Sequence, residues 1–491
     1  MLRREKSRRL QALQTIFGLQ GFRPGQEKAV DTLLRGRDLL CILPTGAGKS
    51  LCWQLPAALH EGWTLVVSPL IALMRDQLRG LQAHGLDAIC LDSLQTEQER
   101  EACMHRLGSG QARIMLVSPE RLQSVRFRRA VQASPPWLLV VDEAHCIPRW
   151  GDSFRPAYAQ LDQFLGDLPA RPVLCAMTAT ADAAMRRDIA RSLGMRRPKQ
   201  VVLPVTRENL HMAVHTTIRP EETILLLMEE HAGGKRVVFC RTRRETERLA
   251  ALLRGEGMAA EHYHAGMDRE ERLAVQTRFT AGETEVLTAT TAFGMGVDVP
   301  DIRCIVLSGL PETMLDLAQQ FGRAGRDGER ADCVLLLDPA ALEIQRKHLR
   351  RRRRDGWAVW HRACREASAL LDWCLSGRCL QQGIARAFGQ RCATCGVCSA
   401  CLRAKRLGGF RRLTATPELQ HMRERHLRAW ALRWERAEIA RKSGVSRQAV
   451  MPEHVLRRAS ETGRMPANAR MRIADIRRMQ ALLDHMTGRE E

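Results

Sequence analysis

Residues 44–50 combine two glycines with a lysine and a serine, between an apolar run and a helix-like segment. Such glycines let backbone N–H groups approach a pyrophosphate, while Lys49 can reach the β and γ phosphates and Ser50 can bind Mg²⁺. Leu43 stands where the strict loop pattern has glycine, so a plain glycine-rich turn is the alternative for this stretch alone. The candidate nucleotide-binding residues of this loop are Thr45, Gly46, Gly48, Lys49 and Ser50.

Two adjacent acids, Asp142 and Glu143, follow another apolar run about 90 residues further on. Burying two carboxylates costs free energy because desolvation penalises both charges, so the pair is expected to have a task. We interpret Asp142 as holding Mg²⁺ through water, and Glu143 as orienting or deprotonating the water that attacks a phosphate. The alternative is an acidic N-cap for the next helix.

Two arginines, Arg323 and Arg326, lie three residues apart in the glycine-rich segment 319–328. From there they could project toward a γ-phosphate bound on a facing lobe, as an arginine finger does. A solvated basic turn is the alternative, but it would not explain why the arginines accompany phosphate and metal ligands elsewhere in the chain.

Aromatic and basic residues alternate directly after the acid pair, where Trp150, Phe154 and Tyr158 are interleaved with Arg149 and Arg155. Bases stack on such rings for about 1–3 kcal/mol each, and arginines hold phosphates. A helix that buries one aromatic face is the alternative. The segment therefore predicts a contact with single-stranded nucleic acid, close enough to Glu143 to influence it.

Five of the 16 cysteines crowd between residues 379 and 401, whereas the other eleven are scattered singly. In a reducing compartment this clustering indicates a metal site rather than disulfides. Zn²⁺ prefers four thiolates in closed structural sites, and an iron–sulfur cluster is the alternative, although a Cys-x₃-Cys-Pro ending is absent. The five cysteines are Cys379, Cys392, Cys395, Cys398 and Cys401.

Strands that can position these groups are predicted from short, continuous apolar runs followed by polar turns. Continuous runs are typical of parallel strands covered on both faces, and ligands gather beyond the carboxyl ends of such strands. We expect two α/β lobes, with residues 195–210 as the connection between them. The predicted strands lie within 38–44, 63–69, 113–119, 137–143, 172–178, 235–240, 284–290, 303–310 and 331–338.

Charge is distributed unevenly along the 491 residues, whose formal net charge is +22. Residues 1–340 hold 44 basic and 41 acidic groups, whereas residues 341–491 hold 33 and 14. The basic last third favours contact with nucleic acid over a merely solvated surface. The length suggests about three domains, and the 45% hydrophobic content excludes disorder throughout. Without an apolar run that could span a bilayer or serve as a signal peptide, we expect a cytoplasmic, nucleoid-associated protein with no membrane partner.

Taken in order, the motifs resemble the RecQ family of DNA helicases, in helicase superfamily 2. The resemblance extends from residue 10 to about residue 405. The matching segments are Phe22-RPGQE, Pro44-TGAGKS, Val67-SPLIALMRDQ, Ser118-PER, Asp142-EAH, Cys146-IPRWGDSFRPAY, Met177-TATA, Phe239-CRTR, Tyr263-HAG, Ala292-FGMGVDVP and Gln320-FGRAGRDG.

The resemblance implies roles for individual residues. Arg23 and Gln26 would read the adenine edge, which makes ATP the expected nucleotide. Thr178 and Thr180 would couple the two lobes, and Arg326 is the better arginine-finger candidate. The implied zinc ligands are Cys379, Cys395, Cys398 and Cys401, with Cys392 as the spare thiol.

The implied fold is α/β, with two tandem RecA-like parallel-sheet lobes (1–205 and 206–340), a helical zinc-binding module (341–405) and a mainly helical basic region (406–491). The last region has no evident wing of a winged-helix domain and is more similar to a helicase-and-RNase-D C-terminal module.

The implied function is ATP-dependent 3′–5′ DNA unwinding in repair or recombination, driven by hydrolysis of Mg-ATP. Its partners would be single-stranded DNA, tailed or branched duplexes and repair proteins. Two alternatives stay open: a DNA-stimulated ATPase or translocase that unwinds weakly, and a DNA-binding scaffold with a vestigial ATPase.

Overall fold

The computed structural model has two α/β lobes followed by helices. Each lobe is built on one parallel sheet, which confirms the predicted fold class. The described residues are 2–44, 46–69, 71–92, 95–149, 161–217, 219–293, 299–338, 349–353, 356–407, 446–466, 471, 473–487 and the single positions 428, 432, 435, 436, 439, 440 and 443.

Seven parallel strands form the sheet of the first lobe, in the order β3-β4-β2-β5-β6-β1-β7. Successive side chains of a strand point to opposite faces, and both faces are covered here: Leu40 and Leu65 belong to one hydrophobic cluster, Leu39 and Val66 to another. The strands are β1 (Leu39–Ile42), β2 (Thr64–Val67), β3 (Ala88–Leu91), β4 (Ile114–Val117), β5 (Leu138–Val141), β6 (Val173–Thr178) and β7 (Lys199–Val202).

The edge strand β7 corrects the sequence-based interpretation, which assigned residues 195–210 entirely to the connection between lobes. Only Val201 of its four residues is buried, and Lys199 and Gln200 are polar, so no continuous apolar run marks it. The buried Asp38 carboxylate holds this edge in place by accepting hydrogen bonds from the Arg171 guanidinium (2.6 Å), the Leu174 N–H (3.0 Å) and the Arg196 N–H (2.6 Å).

Nine α-helices accompany this sheet among the described residues of the first lobe. Thr96 and Glu99 form a capping box at the start of one of them, and Asp182 caps another. The helices are α1 (Leu2–Phe17), α2 (Gln26–Leu34), α3 (Leu51–Leu59), α4 (Ile71–Ala83), α5 (Glu97–Gly108), α6 (Val125–Ala133), α7 (Cys146–Arg149), α8 (Leu161–Gly166) and α9 (Ala183–Ser192).

The sheet of the second lobe has six parallel strands in the order β10-β11-β9-β12-β13-β8. Two of them, β8 and β10, are absent from the sequence-based prediction because both are edge strands with polar residues between the buried ones. The strands are β8 (Leu210–Thr216), β9 (Lys235–Phe239), β10 (Ala260–Tyr263), β11 (Val286–Ala289), β12 (Ile302–Leu307) and β13 (Ala331–Leu337).

Residues 356–407 carry the clustered cysteines and are called the cysteine module here. Its side chains do not form a separate core: Trp373 and Ile384 belong to the same buried cluster as Phe321 and Leu335 of the second lobe. The helices of the second lobe are α10 (Pro220–Glu230), α11 (Arg243–Gly255), α12 (Arg269–Ala281) and α13 (Met314–Phe321), and those of the module are α14 (Trp357–Leu375), α15 (Leu380–Ala387) and α16 (Ser399–Leu407).

The C-terminal region contains α17 (Arg447–Val450), α18 (Glu453–Thr462) and α19 (Ile473–Thr487). These helices enclose a small hydrophobic cluster of their own, which includes Leu456 and Leu483. Between residue 349 and residue 487, the described residues form helices and turns but no strand, in agreement with the predicted helical character. No helix in the described part of the chain is both long and apolar enough to cross a membrane.

Candidate functional site

The glycine-rich loop lies at the carboxyl end of β1, between this strand and α3. Leu43 belongs to the sheet and not to the loop. It is fully buried, and its N–H donates to the Thr178 carbonyl (3.2 Å), which extends the sheet by one residue. Gly46 (φ 84°) and Gly48 (φ 72°) adopt left-handed conformations that favour glycine. Ser50 is the N-cap of α3, so the loop leads straight into a helix N-terminus. Thr45 lies outside the described residues.

Arg23 and Gln26 lie against this loop. The Arg23 guanidinium donates to the Gly46 carbonyl (2.7 Å), and the Gln26 side-chain amide donates to the carbonyl oxygen of Gly48 (2.9 Å). The side-chain oxygen of Gln26, Oε1, accepts a hydrogen bond from the backbone N–H of Arg23 (2.8 Å). A Cβ atom at residue 48 would lie only 2.5 Å from Gln26 Nε2. The two residues implied to read adenine therefore also brace the phosphate-binding loop.

The acid pair follows β5, at the same edge of the sheet. Asp142 Oδ1 accepts the Glu143 N–H (3.0 Å), and Gln77 of α4 donates to Asp142 Oδ2 (3.3 Å). Glu143 has a positive φ of 49°, which is strained for a residue with a side chain. Such strain is typical of functional sites, where surrounding structure holds a residue in an unfavourable conformation. Gln77 carried no predicted role because nothing in its spacing shows that it reaches Asp142.

Burial and neighbouring charges shift the pKa values of the two carboxylates in opposite directions. Burial, together with the charge of Glu143, raises the pKa of Asp142 to about 6, against the opposing influence of Lys49. Burial would also raise the pKa of Glu143, but His145, Lys49 and Arg323 outweigh it and lower that pKa to about 2. Glu143 is thus the stronger acid of the pair and stays ionised to lower pH than Asp142, which suits a group that accepts a hydrogen bond from water.

His145 links the acid pair to the end of β6. Its Nδ1 lies 3.0 Å from the Thr178 hydroxyl and 3.1 Å from Glu143 Oε2. The Thr178 hydroxyl also contacts the Thr180 carbonyl (3.3 Å), and both threonines are buried. The two threonines implied to couple the lobes are therefore in contact with the acid pair through His145, a residue to which the sequence assigned no role.

The two arginines of the second lobe approach this site from the turn after α13. A Cβ atom at Gly46 would lie 3.3 Å from Arg326 Cγ, so the Arg326 side chain packs on the phosphate-binding loop. The positive charge of Arg323 is close enough to lower the pKa of Glu143. A cavity between the lobes is lined by Pro44 and Thr180 on one side and by Gly322 on the other. The structure thus brings the loop, the acids and the arginines to one place.

The predicted nucleic-acid contact lies largely outside the described residues. Arg149 is the last residue of α7, but its side chain is not described, and Trp150, Phe154 and Arg155 fall in the segment 150–160, which is not described either. Their contact with DNA stays a prediction.

Four of the five clustered cysteines come together. The sulfur atoms of Cys379, Cys395, Cys398 and Cys401 all lie within 4.8 Å of one another. Cys379 Sγ is 3.6 Å from Cys395 Sγ, and Cys395 Sγ is 3.9 Å from Cys401 Sγ. A tetrahedral ion with Zn–S bonds of about 2.3 Å needs sulfur separations of about 3.8 Å, so the donor set fits a single Zn²⁺. Cys392 is not in this group, and its carbonyl instead accepts from the Gln382 amide (3.0 Å).

The electrostatics of the cluster also favour a cation. Hydrogen bonds from the Cys395 and Cys398 thiols hold the pKa of Cys379 well below its usual range. The same thiolate raises the pKa of Cys395 and raises that of Cys398 to about 11. Ionising all four thiols therefore requires a compensating positive charge, which a divalent ion would supply. Backbone N–H groups of Leu380, Cys395 and Cys398 point at sulfur atoms at 3.3–3.4 Å.

Comparison with known proteins places this arrangement in a class. Residues 23–188 match the DEAD/DEAH box helicase family, and residues 219–328 match the helicase conserved C-terminal domain. Among solved structures, DNA-bound MrfA is 19% identical with a TM-score of 0.57, over 67% of this chain and 50% of that one. Yeast Dbp5 bound to RNA and ADP BeF₃ is 18% identical with a TM-score of 0.56, over 68% of this chain and 88% of that one. The fold is that of the two-lobed helicases.

Sequence relatives define the family within this class. The ATP-dependent DNA helicase RecQ of Haemophilus influenzae is 39% identical over 336 residues, which are 68% of this chain and 54% of that protein. RecQ of Bacillus subtilis is 35% identical over 78% of this chain and 65% of its own length. RecQ of a Synechocystis strain is 37% identical over 67% of this chain and 70% of its own length. The chain belongs to the RecQ family of ATP-dependent DNA helicases, and it spans about half to two thirds of the Haemophilus and Bacillus proteins.

Replacing Asp142 with asparagine should stabilise the metal- and nucleotide-free protein at neutral pH. The pKa of Asp142 is raised from 3.8 to about 6 on folding. Ionisation of this group therefore leaves the free energy of unfolding unchanged below about pH 4, lowers it as the pH rises from about 4 to about 6, and lowers it by the full amount above about pH 6. Asp142→Asn removes this cost, which amounts to at most about 3 kcal/mol. We expect its thermal midpoint to exceed that of the unmodified protein, by a larger margin at pH 7.5 than at pH 5. Asp188→Asn is the control, because that carboxylate is about half exposed and pairs only loosely with Arg191 (3.6 Å). An equal or lower midpoint for Asp142→Asn at pH 7.5 would contradict this electrostatic interpretation.

Metal analysis distinguishes the four grouped cysteines from Cys392. We expect about one zinc ion per chain in the unmodified protein and in Cys392→Ser, and strongly reduced zinc in Cys379→Ser, because a closed site needs all four thiolates. Iron and sulfide without zinc, or equal zinc loss in both variants, would show the proposed donor set to be wrong.

Proposed function

We propose that the protein is an ATP-dependent DNA helicase that couples hydrolysis of Mg-ATP to 3′–5′ movement on single-stranded DNA and to duplex unwinding. The observation that carries this proposal is the convergence of both lobes on one site, where Arg326 packs on the glycine-rich loop and the charge of Arg323 acts on Glu143. A nucleotide in this site would touch both lobes, so its hydrolysis would change how they are held together.

Each group at the site then has a chemical task. The loop N–H groups and Lys49 bind the β and γ phosphates, while Ser50 and Asp142 would hold Mg²⁺. The metal, when bound, neutralises charge that develops on the phosphate oxygens. Glu143, ionised and held by His145, orients the attacking water.

Arg326 stabilises the negative charge of the transition state from the second lobe. Arg23 and Gln26 select adenine, and because they also brace the loop, base recognition would act directly on the phosphate site. Thr178 and Thr180 relay changes at Glu143 to the interface between lobes.

DNA is the proposed substrate because of the charge distribution and the family. The relatives are named as DNA helicases, and residues 341–491 hold 33 basic against 14 acidic groups. We propose that single-stranded DNA binds the segment that contains Arg149, Trp150, Phe154 and Arg155. Tailed or branched duplex would bind the basic C-terminal third. We also propose a role in repair or recombination, as the family resemblance implies, in the cytoplasm at the nucleoid.

The proposed division of the chain is a nucleotide-binding lobe (1–205), a second lobe (206–340), a zinc-binding module (341–405) and a basic helical region (406–491). Zinc in the module would be structural, since all four of its ligand positions are filled by cysteines.

ATP hydrolysis and strand separation, measured together on a 3′-tailed duplex, test this proposal. We expect hydrolysis that DNA stimulates and unwinding that a 5′-tailed duplex does not support. Lys49→Ala should reduce both activities by about 100-fold or more, because it removes the phosphate-binding charge.

Two outcomes would contradict the proposal in different ways. Hydrolysis without strand separation would leave a DNA-stimulated translocase. The absence of DNA-dependent hydrolysis would leave a DNA-binding scaffold.

A further inference from the structure

The chain that joins the lobes, residues 203–210, is called the connector here, and the cysteine module holds it by side-chain hydrogen bonds. Gln390 donates from Nε2 to the Leu203 carbonyl (3.0 Å) and accepts the Val205 N–H at Oε1 (2.9 Å). One amide side chain thus satisfies both a donor and an acceptor of the connector backbone, much as a neighbouring strand would.

A second glutamine of the module holds the other end of the connector. Gln381 is 2% exposed, and its Nε2 donates to the carbonyl oxygens of Arg207 (2.8 Å) and Leu210 (3.1 Å). It lies two residues after Cys379, which is the N-cap of α15. Breaking a buried hydrogen bond of this kind leaves polar groups without partners, which is destabilising.

The connector in turn fixes the turn that carries the two arginines, residues 322–329, called the arginine loop here. The Arg207 guanidinium donates to the carbonyl oxygens of Gly322 (3.3 Å), Ala324 (2.9 Å) and Gly325. Its burial lowers its pKa, although a guanidinium remains charged at neutral pH. A planar guanidinium that binds three carbonyl groups of one turn constrains the shape of that turn.

Asn209 adds two more hydrogen bonds to the same turn, from its Nδ2 to the carbonyl oxygens of Gly325 (2.9 Å) and Glu329 (2.7 Å). Gly325 has a φ of 49°, and a Cβ atom there would lie 2.5 Å from the Glu329 carbonyl oxygen and 2.7 Å from Asn209 Nδ2. The arginine loop is therefore closely packed against the connector along most of its length.

These contacts form one continuous path from the cysteine cluster to the nucleotide site. The four clustered cysteines anchor the start of α15 and, through Cys395, the end of the segment that carries Gln390. The two glutamines fix the connector, and Arg207 and Asn209 fix the arginine loop. Because the arginines act on a site in the other lobe, a displacement of about 1 Å at the loop would weaken their alignment with a bound nucleotide.

We propose that Gln381, Gln390 and Arg207 are positioning residues, through which the cysteine module sets the placement of Arg323 and Arg326. The module is then a part of the hydrolytic machinery as well as of the fold. This inference rests on the proposed function only for its effect on hydrolysis, since the placement of the arginine loop can be measured without nucleotide.

Backbone hydrogen exchange of the arginine loop in the full-length, nucleotide-free protein is the first test. The variants are Gln390→Met, Gln381→Met and Arg207→Met, which keep much of the side-chain volume but lose the hydrogen bonds. Gln382→Met is the matched control, because that amide binds the Cys392 carbonyl within the module and does not reach the connector. We expect exchange in residues 322–329 to accelerate at least about fivefold in the three variants and to stay unchanged in the control.

Steady-state hydrolysis of ATP is the second test. In the three variants we expect kcat to fall by about tenfold or more with KM for ATP changed less than about threefold, because the phosphate-binding loop is intact while the arginines are misplaced. Zinc content and the thermal midpoint of Gln390→Met should match those of the control, which excludes general unfolding.

Exchange rates in the arginine loop equal to those of the control would overturn the inference, and so would accelerated exchange with an unchanged kcat. If the unmodified protein hydrolyses no ATP, the proposed function fails instead, and the exchange comparison still decides whether the module positions the loop.

Discussion

Two adjacent carboxylates, the buried Asp142 and the partly buried Glu143, impose the constraint on which the rest of the structure depends. Their charges cannot both be accommodated away from water without compensating cations, and the cations come from two different sheets. His145 and Lys49, both of the first lobe, supply most of this compensation, and Arg323 adds to it from the turn after α13 of the second lobe. The compensation of the Glu143 charge is therefore complete only when the two lobes face each other.

Parallel sheets make this arrangement possible, because the loops that follow their strands gather at one edge. In the first lobe, that edge carries the glycine-rich loop, the acid pair and Thr178. In the second lobe, the arginine loop is held by Arg207 and Asn209 of the connector. The cysteine module completes the assembly, since it shares the hydrophobic core of the second lobe and also binds the connector.

Much of this organisation could be predicted from the sequence, for a physical reason. Strands buried on both faces are continuous apolar runs, and groups such as the acid pair are recognisable by type and spacing. The edge strands β7, β8 and β10 escaped prediction because polar residues interrupt their runs. The edge strand β3 was also not predicted, although its four residues are apolar and buried. The roles of Gln77, His145 and Arg207 could not be predicted, because each depends on a contact with a distant part of the chain. The family resemblance, rather than the spacing alone, singled out four of the five cysteines, and the same four lie together in space.

The most direct test of a nucleotide site shared between the lobes is the hydrolysis rate of Arg326→Ala under saturating ATP and DNA, beside Arg330→Ala. Arg330 directly follows the arginine loop, is exposed and pairs with Asp332, so it serves as the matched control. We predict that kcat falls by about 10²-fold or more in Arg326→Ala, with ATP still bound, and is unchanged in Arg330→Ala. A kcat for Arg326→Ala equal to that of the unmodified protein would contradict a shared site.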